Sequence, residues 1–191
     1  MDGAANLKRG GRWGLVLLSV WMLGCTHISA EYRHAVHRWQ RHAEVFDFTS
    51  FRAELIWDAM LLTPEVQGAR LEREAQLRHL SISQTQQYIP AAWNQDGTLF
   101  FINFFAPRDA KDLLSAEGYW HLELRDAAGH TYQASDVAQI PITPMTRKLF
   151  PFIHTWAKTY VVRFPANLQG PLTLTLFGLN ATSELVWQSG Q

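Results

Sequence analysis

A single cysteine, Cys25, occurs among 191 residues, so no intrachain disulfide can brace the fold. Excess charge is missing as well. Lys and Arg number 17, and so do Asp and Glu. The balance holds locally: residues 25–90 carry 7 basic and 8 acidic side chains, and residues 91–191 repeat those counts. With no basic face to meet a phosphate backbone, nucleic acid is not an expected partner. Internal repeats and low-complexity tracts are absent. Apolar residues make up 47% of the chain, which argues for a packed core and against a disordered composition. There is no G-x-S-x-G elbow, H-E-x-x-H, P-loop or G-x-G-x-x-G, so no catalytic residue is assigned and no cofactor is expected. The sequon Asn180-Ala181-Thr182 is read as accidental.

A spanning hydrophobic run is also lacking. Residues 13–23 are apolar or small, but they number 11, and a helix needs about 20 to cross a hydrocarbon core of ~30 Å. What is present instead is Lys8, Arg9 and Arg12, then this short run, then Leu23-Gly24-Cys25. A positive region, a short apolar region and a small residue before a cut describe a secretory signal. Leu23-Gly24-Cys25 resembles the lipobox of bacterial lipoproteins, with Met22 at a position where Leu is usual. The resemblance covers the first 25 residues. It implies that residues 1–24 are a signal peptide, that the Cys25 thiol receives a diacylglycerol, and that its new amino group is acylated after cleavage. Two or more chains anchor stably where one does not, at ~0.8 kcal/mol per buried CH₂. Thr26 follows the cysteine, where Asp retains enterobacterial lipoproteins at the inner membrane. The resemblance therefore implies an outer-membrane protein facing the periplasm.

Removal of residues 1–24 leaves 167, with 14 basic and 16 acidic side chains, enough for one domain with a core. Residues 25–30 are a short tether, whose five residues after Cys25 reach about 17 Å when extended. Residues 31–88 read as helical. Tyr32, Ala35, Val36, Trp39, Ala43 and Phe46 form one stripe, and Phe51, Leu55, Ile56, Ala59 and Met60 form a second over about 49–62. A third helix starts at Thr63 as N-cap, with Pro64 at the first helical position and Glu65 facing the positive helix end.

The period then changes to two. "NQDG" at 94–97 is a turn and "TLFFINFF" a strand. In "YWHLELRD", Trp120, Leu122 and Leu124 alternate with His121, Glu123 and Arg125. "DAAG" suits a four-residue hairpin with Gly129 in the left-handed region. Residues 160–164, 172–177 and 185–187 complete the strand set, and "RDAKDLLSAEG" is a candidate helix. The expectation is α+β: N-terminal helices followed by an antiparallel immunoglobulin-like β-sandwich over 89–191, with the helices packed on it.

Two stretches suggest sites. In "EYRHAVHRWQRH", Glu31 and His34 have the Glu-x-x-His spacing of di-iron bundles, and His37 shares the face of His34. A di-iron site needs a second such motif and two more carboxylates, zinc needs further ligands, and His42 falls two positions off the His34 face. The alternative is a solvated face meeting lipid phosphates through Arg33, His34, His37, Arg38 and Arg41. In "KLFPFIHTWAKTY", Phe150, Phe152 and Trp156 form a docking loop for a partner or plug the end of the sandwich. Glu54 and Asp58, at i and i+4 of the second helix, read as helix surface. The leading functional expectation is a lipid-anchored envelope protein acting as a binding, scaffold or assembly accessory, with the membrane and another envelope protein as partners. The alternatives are an envelope enzyme with an unfamiliar site and a small-ligand or metal carrier using the histidine-bearing helix.

Overall fold

The computed structural model describes residues 29–49, 52–93, 96–106, 114, 118–165, 167–178 and 181–188. The signal segment, Cys25, most of the tether, half of the 94–97 turn, and nearly all of "RDAKDLLSAEG" lie outside them. Among the described residues no helix is long and apolar enough to cross a membrane.

Helix α1, Ala30–Trp39, opens on Ser29, whose side chain accepts a hydrogen bond from the Tyr32 amide, and buries Tyr32, Ala35 and Val36. It stops where Gln40 turns extended (φ −80, ψ 143). The expected helices beyond this point are instead strands β1, Gln40–Asp47, and β2, Arg52–Leu61. They pair antiparallel from Gln40↔Met60 to Asp47↔Arg52, with a register shift between Val45 and Phe46. The reason for the difference is that β2 is covered on both faces. Leu55, Trp57, Ala59 and Leu61 enter one core and Met60 another. A strand apolar on both faces loses its alternation and offers a helical stripe by accident.

Helix α2, Pro64–Arg78, begins as expected: the Thr63 side chain accepts from the Val66 amide and Pro64 occupies the first turn. It ends on His79 in the left-handed region (φ 55), whose amide donates to Ala75 and Gln76, a cap more often supplied by Gly or Asn. Short helix α3, Ile82–Thr85, and two 3₁₀ turns, Gln86–Tyr88 and Ala91–Trp93, lead to strand β3, Thr98–Phe105. Strands β4, His121–Arg125, and β5, Thr131–Gln133, form the expected hairpin. Gly129 sits at φ 87 and its amide donates to Asp126. Strand β6, Asp136–Ile140, helix α4, Pro144–Leu149, and strands β7, Lys158–Phe164, β8, Leu172–Phe177, and β9, Thr182–Trp187, complete the chain.

The strands make two antiparallel sheets, in the orders β1-β2-β3-β7-β6 and β5-β4-β8-β9. The class is therefore α+β. The first sheet extends back through residues 40–61, which belong to the stretch expected to be helical. One core lies between the sheets, where Trp57, Phe100, Phe104 and Val162 meet Leu124, Leu174, Leu185 and Trp187. The indole of Trp57 donates across it to Ser183 Oγ at 3.0 Å. Trp120 packs edge-on against Phe104, with ring centroids 5.2 Å apart. A Cβ on Gly178 would come within 2.5 Å of the Trp120 ring, so glycine is the residue that leaves room for it. The second core lies on the other face of the five-stranded sheet, where the helices cover Met60, Phe101 and Val161 with Tyr32, Val66, Trp93 and Phe150. Both faces of β3 are thus buried from Thr98 to Phe104. At one edge the two sheets are tied together: Trp187 Nε1 donates to the Trp39 carbonyl at 2.7 Å, and Arg41 Nε donates to that of Val186 at 2.9 Å.

Candidate functional site

Sheet register assembles a polar row on the helix-bearing face of the five-stranded sheet. His42 pairs with Asp58, Asp58 with Asn103, and Asn103 with Thr159. Residues directly opposite in neighbouring strands point to the same face, so these four side chains stand in line across β1, β2, β3 and β7. Asp58 is 2% exposed and Asn103 fully buried. An ionised carboxylate at such depth needs partners, and Asp58 has four. Its Oδ1 receives Gln40 Nε2 and His42 Nδ1, each at 2.9 Å. Its Oδ2 receives Asn103 Nδ2 at 3.0 Å and lies 3.2 Å from His154 Nε2.

His154 belongs to the segment joining α4 to β7, which reaches the two middle members of this row, Asp58 and Asn103. The segment is held there from beneath, because Asn103 Nδ2 also donates to the Phe152 carbonyl at 3.1 Å. Glu44, two residues beyond His42 on the same face of β1, places Oε1 3.0 Å from His42 Nε2. Both imidazoles keep an open side: the side chains of His42 and His154 are 42% and 41% exposed. Partial burial works to lower the His42 pKa, but its hydrogen bonds to Glu44 and Asp58 and the charge of Asp58 outweigh it, and the pKa is raised. Two buried atoms in the row remain unsatisfied. His154 Nε2, although close to Asp58, makes no hydrogen bond of adequate geometry, and Asn103 Oδ1 accepts none.

His42, Asp58 and His154 bring one ligand atom each within 4.8 Å of one another. Among the described residues, Glu31, His34 and His37 do not form such a group. All three are exposed on α1, and His34 and His37 line a shallow depression with Arg38 and Arg41. The aromatic segment divides residue by residue. Phe150 is buried and stacks on Phe101 with centroids 3.9 Å apart, which corrects its reading as a docking residue. Phe152 is half-buried, edge-on to Phe101 at 6.0 Å. Trp156 is 81% exposed.

A separate ionic group lies deeper among the helices. Glu74 accepts from Arg70 at 3.0 Å and from Arg78 at 2.9 Å, and the Arg70 guanidinium lies 4.7 Å from the centroid of the Trp93 ring. Burial lowers the Arg70 pKa, and the Glu74 carboxylate opposes that. Both arginines share the Glu74 carboxylate, and Arg70 ties α2 to the turn that carries Trp93, as a structural network does.

The sequence signal for the polar row was Asn103, the one hydrogen-bonding side chain between Leu99 and Phe105 in a strand of aromatic and aliphatic residues. A buried amide in such a strand demands polar neighbours. His42 and Asp58 were hidden by the helical reading, which placed each on an outer face. No protein-family model, curated protein or solved structure matches the chain.

Proposed function

We propose that this chain is a lipid-anchored protein of the cell envelope, held through Cys25, that works by binding another envelope protein as a scaffold or assembly accessory. We read its two sheets as an immunoglobulin-like sandwich. The strand order supports that reading: β2-β3-β7-β6 corresponds to the order A-B-E-D and β5-β4-β8-β9 to C′-C-F-G. A buried tryptophan, Trp120, sits immediately before the strand in the C position. The cysteine pair of antibody domains is replaced by apolar packing, and β1 precedes the A strand as an addition.

The observation that carries the binding role is a pair of open aromatic side chains at one end of the five-stranded sheet. Trp156 is 81% and Phe48 82% exposed. Trp156 precedes β7, whose Lys158 pairs with Phe104, and the β1–β2 turn bearing Phe48 continues past the Ile56↔Phe105 pair. Both therefore lie at the Phe105 end. Large aromatics that stay open on a rigid scaffold are the side chains that dominate protein interfaces, and loops at the ends of sandwiches are their usual carriers.

Photo-crosslinking residues placed at 156 and at 48, with exposed His121 on the other sheet as control, test this in intact cells. The expected result is one discrete adduct from 156 and 48, none from 121, and loss of the adduct in Cys25→Ser. No adduct from either aromatic position would overturn the reading.

A further inference from the structure

We propose that His42, Asp58 and His154 form a site for one divalent transition-metal ion, with zinc as the reference cation. The protein ligands are His42 Nδ1, a carboxylate oxygen of Asp58 and His154 Nε2. This goes beyond the binding role above and does not depend on the lipid anchor.

The donor set comes first. Two imidazoles and one carboxylate suit zinc and its first-row neighbours, whereas calcium and magnesium take oxygen. Spacing comes second. Ligands about 2.0–2.2 Å from a tetrahedral ion stand roughly 3.3 Å from one another. The pairs here are 2.9 Å for His42–Asp58 and 3.2 Å for His154–Asp58, with all three ligand atoms inside 4.8 Å. Small ring rotations bring them to coordinating distance.

Support behind the ligands comes third. A metal-bound imidazole commonly directs its other nitrogen to a carboxylate, which fixes ring and tautomer. The His42 ring is held in that way, with Nδ1 toward Asp58 and Nε2 3.0 Å from Glu44 Oε1. Asp58 is itself oriented by Gln40 and Asn103. The free capacity comes fourth. His154 Nε2 is shut from solvent, aimed at the cluster and without a hydrogen bond. A buried imidazole nitrogen 3.2 Å from a buried carboxylate oxygen, with no hydrogen bond between them, has the placement of a second metal ligand. Three protein ligands leave the fourth tetrahedral position for water or another exchangeable ligand.

The test uses the full chain in detergent, stripped with chelator and then equilibrated with zinc alone. Zinc per chain is measured by elemental analysis and affinity by calorimetry. The parent is expected to take up one equivalent. His154→Ala and His42→Gln, both at partly exposed positions, should each weaken binding by on the order of 100-fold, and Glu44→Ala by about 10-fold. His34→Ala and His37→Ala should bind as the parent does. Circular dichroism that superimposes on the parent separates loss of ligands from loss of fold. If Asp58→Asn does not fold, the histidine variants carry the test. No uptake by the parent, uptake retained in the His42→Gln/His154→Ala double variant, or loss caused instead by His34→Ala or His37→Ala would each overturn the proposal.

Discussion

Asn103→Leu is the perturbation that probes the polar row most sharply. The side chain is fully buried in β3 and donates twice, to Asp58 Oδ2 at 3.0 Å and to the Phe152 carbonyl at 3.1 Å. A hydrogen bond to a charged group contributes about 1.5–3 kcal/mol and a neutral one about 1 kcal/mol. Leucine has as many side-chain heavy atoms as asparagine, so the substitution leaves no cavity. The expected loss is roughly 2.5–4 kcal/mol, because the buried Asp58 carboxyl loses one partner and the Phe152 carbonyl is left bare. Urea denaturation followed by tryptophan fluorescence reads it as a lower midpoint at unchanged slope. A double-mutant cycle with Asp58→Asn isolates the shared part, expected at about 1–2 kcal/mol. A cost below about 0.5 kcal/mol with no coupling, within the range of ordinary surface changes, would refute the claim that the row is one connected network.

The two ends of the aromatic segment should behave oppositely. Phe150→Ala should cost about 3–5 kcal/mol through its cavity, while Trp156→Ala should stay within about 0.5 kcal/mol; equal effects in urea titrations would contradict the division. Asp126 in the β4–β5 turn supplies a pH signature. Desolvation pushes its pKa up, but hydrogen bonds from the amide and ring of His130 and from the Tyr132 hydroxyl push harder, and the net shift is downward. A carboxyl depressed in the folded state stabilises above its unfolded pKa, near 3.9, and that contribution is lost as pH falls through the folded value. Asp126→Asn should therefore flatten the acid limb of stability below about pH 4, and superimposable limbs in parent and variant would exclude the effect. Cys25→Ser should move the protein from the membrane to the soluble fraction and abolish fatty-acid labelling; labelling that persists would remove the anchor.

Legibility in the sequence followed how many faces of an element are covered. Strand β4 packs one face on the core, so Trp120, Leu122 and Leu124 alternate openly with polar residues, and its turn announced itself through Gly129. Helix α2 was readable from Thr63 and Pro64, since capping is local chemistry. Strand β2 has helices on one side and a second sheet on the other. Its apolar residues therefore no longer alternate, and Ile56 and Met60 completed a helical stripe. Strand β1 followed it into error because Ala43 and Phe46 continued the spacing of Tyr32 and Trp39. The site was lost by the same step. On a helix His42 and Asp58 face solvent separately, and only strand register sets them opposite one another and brings Asn103 alongside. His154 reaches the row from 51 residues beyond Asn103, a proximity that no local pattern encodes.

Strand register brings His42 and Asp58 together on the covered face of one sheet, where His154 meets them. Anomalous diffraction at the zinc edge, from crystals of the full chain grown with zinc, tests this directly. The expected result is one peak about 2.0–2.2 Å from a nitrogen of each histidine and an oxygen of Asp58, with residues 52–61 as a strand between residues 40–47 and 98–105. A peak elsewhere, no peak, or residues 52–61 in a helix would contradict it.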